Sequence, residues 1–314
     1  MELGTLPVAG FAVFCRLLVG LAVPPIGALD LSKNGLGAEH AAVLVPSLVT
    51  AGQRPPLTRL VLDRNELGDA GSVALCASLL AVVPNAVSDV DMGHNQLGPD
   101  GAHALAGLLR QSPTIERLLL TSNPLCGVDW QGAGELNLDG FKALCGALGT
   151  CGTLKELHLR ANGLTPAAAK PLADALGSNK ALEHLSLWKN AIGTDGLKAL
   201  INGLRLSSAL TLLDVRDNKL DDGAGAHLAQ LIGKKLKISS LLLADNKLGP
   251  EAGAAIGKAW AAACDVLAVL DIRANLIDQD AAKALRSAYN AAAQKRVGKQ
   301  GVLSAELFVD DGLL

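Results

Sequence analysis

Four stretches, LKELHLRANGL (154–164), LEHLSLWKNAI (182–192), LTLLDVRDNKL (210–220) and ISSLLLADNKL (238–248), stand 28 residues apart and share the pattern LxxLxLxxNxL. Reading outward from them, the same asparagine recurs at Asn34, Asn65, Asn95, Asn123, Asn162, Asn190, Asn218, Asn246 and Asn275. Self-similarity at this period is the mark of a repeat architecture in which each unit buries its apolar face against the next. In LxxLxL the first, fourth and sixth positions point inward, the last two through strand alternation. The asparagine brings a side chain that both donates and accepts, so a column of them satisfies the backbone groups of every strand-to-loop turn. These nine residues are therefore predicted to form a structural ladder.

The rest of each unit has helical spacing. After the asparagine comes xLG, then an Ala/Leu-rich run, as in LGPDGAHALAGLL and IGTDGLKALINGL. Pro99, Pro166 and Pro250 fit the first helical turn, where a missing N–H is harmless. Asp100, Asp195 and Glu251 suit the positive end of the helix dipole. Pro56, Pro84 and Pro113 stop helices ahead of the next strand. Each unit is one strand and one helix, and the whole of 1–314 reads as a single α/β repeat domain: 1–25 an incomplete N-terminal repeat or helix, 26–278 nine strand-bearing repeats, and 279–314 a C-terminal cap whose VLSAELFV segment suits a last strand.

The composition agrees. Half the residues are hydrophobic but only 3% are aromatic, which suits a stack of leucine slots that a ring would overfill. A net charge of −2 argues against nucleic acid as a partner. Six cysteines lack any CxxC pairing, and Cys15, Cys76 and Cys145 share one slot five residues after a helix-start glycine, so they read as buried thiols, with no metal site. Free thiols and the absence of any N-x-Ser/Thr acceptor place the protein in the cytoplasm. Residues 8–25 are apolar, yet Glu2, the lack of a preceding basic residue and Arg16 speak against a signal peptide or membrane span. In the repeat frame Leu3-Gly4 matches the later LG, and Phe11 to Leu21 the following helix. A half-repeat without its strand predicts an open core end, covered by a partner or by self-association.

Units of this length, alternating LxxLxLxxNxLG with an Ala/Leu helix, resemble the ribonuclease-inhibitor-like class of leucine-rich repeat proteins, which includes Ran GTPase-activating proteins and the repeat domains of NOD-like receptors. The resemblance implies a right-handed horseshoe solenoid with a concave parallel sheet and convex helices. It implies no single activity.

On that frame the third, fifth, seventh and eighth letters of each repeat face the concave side or its rim. The seventh column places Trp188 between Arg160 and Arg216, with His158 and His184 in neighbouring columns. Tryptophan and arginine are the side chains most enriched at interface hot spots, so these five residues are predicted to bind a partner protein; the alternative is a local stack that stiffens the sheet. The early strands instead carry Asp30, Asp63, Asp89 and Asp91 opposite Lys33, Arg59 and Arg64, an acidic to basic progression along the array.

The 39-residue step from Asn123 to Asn162 holds eleven extra residues, 126–136, carrying Trp130 and three glycines; loops of this kind carry function disproportionately, so Trp130 joins the residues predicted to bind a partner, the alternative being that it folds back on the repeat rim. No P-loop, HExxH or GxSxG is present, and the histidines are scattered over separate units. The sequence thus predicts a scaffold without catalysis, cofactor or metal. Two alternatives follow from the resemblance: a GTPase-activating protein of the Ran type, whose arginine would map to Arg64, and a repeat fragment of a NOD-like sensor.

Overall fold

The computed structural model describes residues 3–21, 26–48, 57–82, 86–206, 209–233, 237–262, 266–297 and 306–310. Pro56, Pro84 and Cys264 lie outside them. The chain divides into two compact units, Met1–Gly163 and Leu164–Leu314.

In the first unit a 3-10 turn at Leu3–Thr5 leads into helix α1 (Val8–Leu21). Strand and helix then alternate: β1 (Ala28–Asp30), α2 (Ala38–Leu48), β2 (Arg59–Val61), α3 (Gly68–Ala81), β3 (Asp89–Asp91), α4 (Pro99–Gln111), β4 (Arg117–Leu119), α5 (Asp139–Thr150) and β5 (Glu156–His158). Each strand pairs in parallel with the next, in a register that sets like repeat positions side by side: Leu29, Leu60, Val90, Leu118 and Leu157 form one buried row. Successive helices pack on one another. A side chain at Gly140 would collide with the Pro99 carbonyl, so glycine there lets α5 lie close against α4.

The second unit continues with α6 (Pro166–Ser178), β6 (His184–Ser186), α7 (Gly193–Leu204), β7 (Leu212–Asp214), α8 (Ala224–Ile232), β8 (Ser240–Leu242), α9 (Pro250–Ala262), β9 (Val269–Asp271), α10 (Gln279–Val297) and β10 (Glu306–Phe308). Its strands are again parallel in chain order, and β10 is the strand anticipated in VLSAELFV. The fold is the α/β leucine-rich repeat solenoid. Every fully buried leucine of these rows contributes about 1.5–3 kcal/mol, which is why so repetitive a sequence folds with few aromatic residues. Aromatics are nevertheless accommodated where a slot is large: Phe11, Phe141 and Trp260 are wholly buried, and the Trp260 indole N–H donates to the Leu267 carbonyl at 3.2 Å. The expectation that a ring overfills a slot holds for the strand rows but not for these helix positions.

The asparagines tie each repeat to the one before. Asn123 Oδ1 accepts the N–H groups of Asn95 and Leu97, each at 3.0 Å, while its Nδ2 donates to the carbonyls of Met92 and Leu120, also at 3.0 Å. Asn65 and Asn246 make the same four bonds within their units. Leu3 and Gly4 enter this pattern too, donating to Asn34 Oδ1 at 3.3 Å and the Asn34 carbonyl at 2.7 Å. The residue before every ladder asparagine, from Lys33 through Ala274, has a positive φ between 49° and 58°. Nine non-glycine residues in the left-handed region turn the chain from strand into loop, and the asparagine's bonds hold them there.

Candidate functional site

Strand side chains that point away from the leucine rows form the charged face of each unit, and the parallel register dictates who meets whom. In the first unit Arg59, Asp89, Arg117 and Glu156 are successive partners across β2 to β5. Opposite charges directly abreast stabilise such pairs. Asp89 lies 3.3 Å from Arg59 and 3.2 Å from Arg117, Arg117 reaches Glu156 at 2.9 Å, and Glu156 meets His158 Nε2 at 2.6 Å. Burial raises the Glu156 carboxyl, but Arg117 and His158 together outweigh it and hold the group below the usual range. A second cluster joins Asp63 to His94 at 2.7 Å and to Arg64 at 3.3 Å. Between the clusters sits Asp91, which accepts the Gly93 N–H at 2.9 Å. Burial, with the charges of Asp63 and Asp89 behind it, pushes its carboxyl above the usual range despite that bond.

The early strands are therefore not a bare acidic field. Arg117, which the sequence reading did not count among the neighbours of the aspartates, neutralises Asp89 and Glu156 in turn. Arg64, though exposed, leans on Asp63.

On the second unit a different device repeats. Arg216 folds back on Asp214, two residues earlier on the same strand, through Nε to Oδ1 at 2.9 Å and Nη2 to Oδ2 at 2.8 Å. Asp214 is buried and also accepts the Ser186 hydroxyl at 3.0 Å. Thus anchored, the guanidinium lies 4.3 Å from the Trp188 ring centroid. Trp188 is half-buried and His184, on β6, is exposed. Arg273 repeats the arrangement: it is held by Asp271 at 2.8 Å through both nitrogens and lies 4.9 Å from the Phe308 ring. Sequence reasoning found Trp188 and Arg216 but missed these clamps. Their signal was Asp-x-Arg at the fifth and seventh repeat letters, two positions that share a face of the strand. His158 and Arg160 belong to the first unit, where both are half-buried. Trp130 stands 47% exposed on the insertion.

Among the described residues no group of three or more His, Cys, Asp or Glu is placed to hold a metal ion. Cys15, Cys76, Cys126, Cys145 and Cys151 are buried free thiols, and burial pushes Cys15 up to about 11 and Cys76 and Cys126 to about 12, far from thiolate reactivity at neutral pH. Among the described residues no helix is long and apolar enough to cross a membrane.

Comparison with known proteins agrees with the fold. A leucine-rich repeat family model matches residues 55–76, 87–106, 150–173 and 178–200. The chain is 37% identical over 132 residues to Tonsoku-like protein of Bos taurus, covering 41% of this chain and 9% of that protein. It is 33% identical over 143 residues to ribonuclease inhibitor of Sus scrofa, covering 45% of this chain and 28% of that protein. Leucine-rich repeat-containing protein 45 of Gallus gallus is 32% identical over 161 residues, 51% of this chain and 22% of that protein. The matched stretches thus span under a third of each relative. The solved leucine-rich repeat protein LegL7 of Legionella pneumophila superposes with a TM-score of 0.54 at 19% identity, covering 87% of this chain and 83% of that one, a likeness of fold. The chain is a leucine-rich repeat protein. Within that class it is of the ribonuclease-inhibitor-like kind. Such proteins generally act as protein-interaction scaffolds and are typically not enzymes.

Proposed function

We propose that this protein is a cytoplasmic interaction scaffold, one leucine-rich repeat domain over 1–314, that binds another protein on its strand face, with Trp188 as the anchor and no catalysis of its own. The observation that carries this reading is the preorganised stack of Trp188 under Arg216. The indole keeps part of its area toward solvent, and the guanidinium above it is fixed by a buried aspartate. An aromatic side chain locked before binding loses little entropy when a partner covers it, and Trp and Arg supply most hot-spot energy. His184 offers a donor or acceptor at the start of β6, and Arg160 and His158 are assigned to the same function from the first unit's strand face. The GTPase-activator alternative has less support, since Arg64, the arginine it would use, is paired with Asp63.

The test is affinity capture from native cells with wild type and Trp188→Ala in parallel. The reading requires a partner that wild type retains and the variant loses while the variant's melting curve stays in place. A partner held equally by both refutes Trp188 as anchor.

A further inference from the structure

We propose that the 126–136 insertion is a preformed docking knob that places Trp130, with Leu136 at the far end of the same insertion, into an apolar, basic-rimmed pocket of a partner protein. The proposal is independent of the Trp188 site. An inserted loop that merely fills space needs no internal order, yet this one is built. Val128 and Gly134 form an antiparallel bridge. Asp129 donates its N–H to the Ala133 carbonyl at 2.9 Å and accepts the Gly132 N–H at 3.0 Å, closing a tight turn with Trp130 at its first central position. The Asp129 carboxylate locks the turn from inside by accepting the N–H groups of Gln131 at 2.8 Å and Ala133 at 2.9 Å.

The base of the knob is equally fixed. Leu125 and Cys126 are fully buried, the Cys126 carbonyl accepts the Asn137 N–H at 2.8 Å, and Gly127 donates to the Pro124 carbonyl at 2.7 Å. The loop backbone lies on the turn of the next repeat: a side chain at Gly163 would collide with the carbonyls of Val128 and Asp129. This close seat explains why glycine follows Asn162.

Rigidity is joined to exposure. Trp130 is 47% and Leu136 52% exposed, two large apolar side chains six positions apart on a scaffold whose other large apolar groups are mostly buried. A tryptophan held in place carries contact area without the ordering cost a floppy loop would incur. Charge selects the partner. The stretch 126–141 contains Asp129, Glu135 and Asp139 and no lysine or arginine, and exposed Asp100 lies in the first turn of α4, the helix packed against α5. The nearest following cation, Lys142, is 3.7 Å from Asp139. An apolar tip on an acidic base fits an apolar pocket with a basic rim and disfavours an acidic surface.

A random-peptide phage library panned on the whole chain, and counter-panned on Trp130→Ala, tests this directly. The proposal expects peptides carrying aromatic or aliphatic residues flanked by Lys or Arg. Synthetic copies should bind at least about tenfold weaker to Trp130→Ala and to Glu135→Lys/Asp139→Lys, while retaining affinity for Trp188→Ala. Circular dichroism melts confirm that the variants fold; if Trp130→Ala does not, Trp130→Gln takes its place. A library that yields no Trp130-dependent binder, or only acidic ones, overturns the knob. Binders lost with Trp188→Ala alone would support the strand-face site and still overturn this one.

Discussion

At Asn123 a single side chain satisfies four backbone groups belonging to two adjacent repeats, all of them in a buried turn. Leaving such groups unpaired costs about 1–3 kcal/mol. Asn123→Ala should therefore lower unfolding stability by about 1–3 kcal/mol in urea titration, whereas Asn290→Ala, at an exposed position of α10, should change it by less than about 0.5 kcal/mol. Equal effects would mean that the asparagine column is not what ties the repeats together. The residue before each asparagine bears the opposite strain. Ala274 is exposed with φ of 52°, a conformation an L-residue adopts at a cost of roughly 1–2 kcal/mol, partly offset by glycine's greater freedom when unfolded. Ala274→Gly is expected to stabilise by about 0.5–1 kcal/mol, and Ala274→Val to destabilise. A stabilising valine would show that the turn does not impose this backbone. The ladder was legible because asparagine recurs at fixed spacing. The left-handed residues were not, since Lys, Arg, His, Ser, Ala and Asp all occupy the position and nothing in their chemistry marks a positive φ.

Between strands, charge is arranged by register, and two carboxylates of one face, Asp91 on β3 and Glu156 on β5, end with opposite characters. Asp91 is raised above its ordinary range, so the folded state holds its proton more tightly than the unfolded state. Its charged form therefore costs stability above the raised value, and that cost disappears as pH falls through it. Glu156 is depressed, so it contributes stability above the ordinary glutamate value, lost as pH falls through the depressed one. Asp91→Asn should accordingly melt higher than wild type at pH 7 and Glu156→Gln lower, both differences shrinking in acid. The same sign for the two substitutions at pH 7 would contradict the ion-pair chain of β2 to β5. The sequence showed Asp91 as a face residue and the strands that carry both carboxylates, while Glu156 passed unremarked within LKELHLRANGL. It did not show that Arg117 serves Asp89 and Glu156 together, because partners in a parallel sheet lie a whole repeat apart and their pairing depends on a register fixed only by packing. The Asp-x-Arg clamps of β7 and β9 were in plain view, yet Arg216 was read only as a neighbour of Trp188 and neither aspartate was singled out. What decided otherwise is the burial of Asp214 and Asp271, which calls for a bonded cation.

For the molecule as a whole, a leucine-rich repeat solenoid supplies a long row of outward strand positions whose side chains are free of core duties. Function then resides in what those positions carry. Periodicity revealed the rows, and the resemblance to ribonuclease-inhibitor-like proteins followed from them. The insertion's internal order was invisible to periodicity, because it rests on the bonds of Asp129 and on glycines at positive φ rather than on a repeated pattern. The central claim is that binding energy sits on Trp188 outside the leucine core. It is tested most directly by titration calorimetry of the captured partner against wild type and Trp188→Ala, with a melt of each. Truncating an interface tryptophan typically costs about 2–4 kcal/mol, so the account predicts a Kd at least about thirtyfold weaker with an almost unchanged melting temperature. An unchanged Kd, or a loss of binding that merely tracks a collapsed melting temperature, would contradict it.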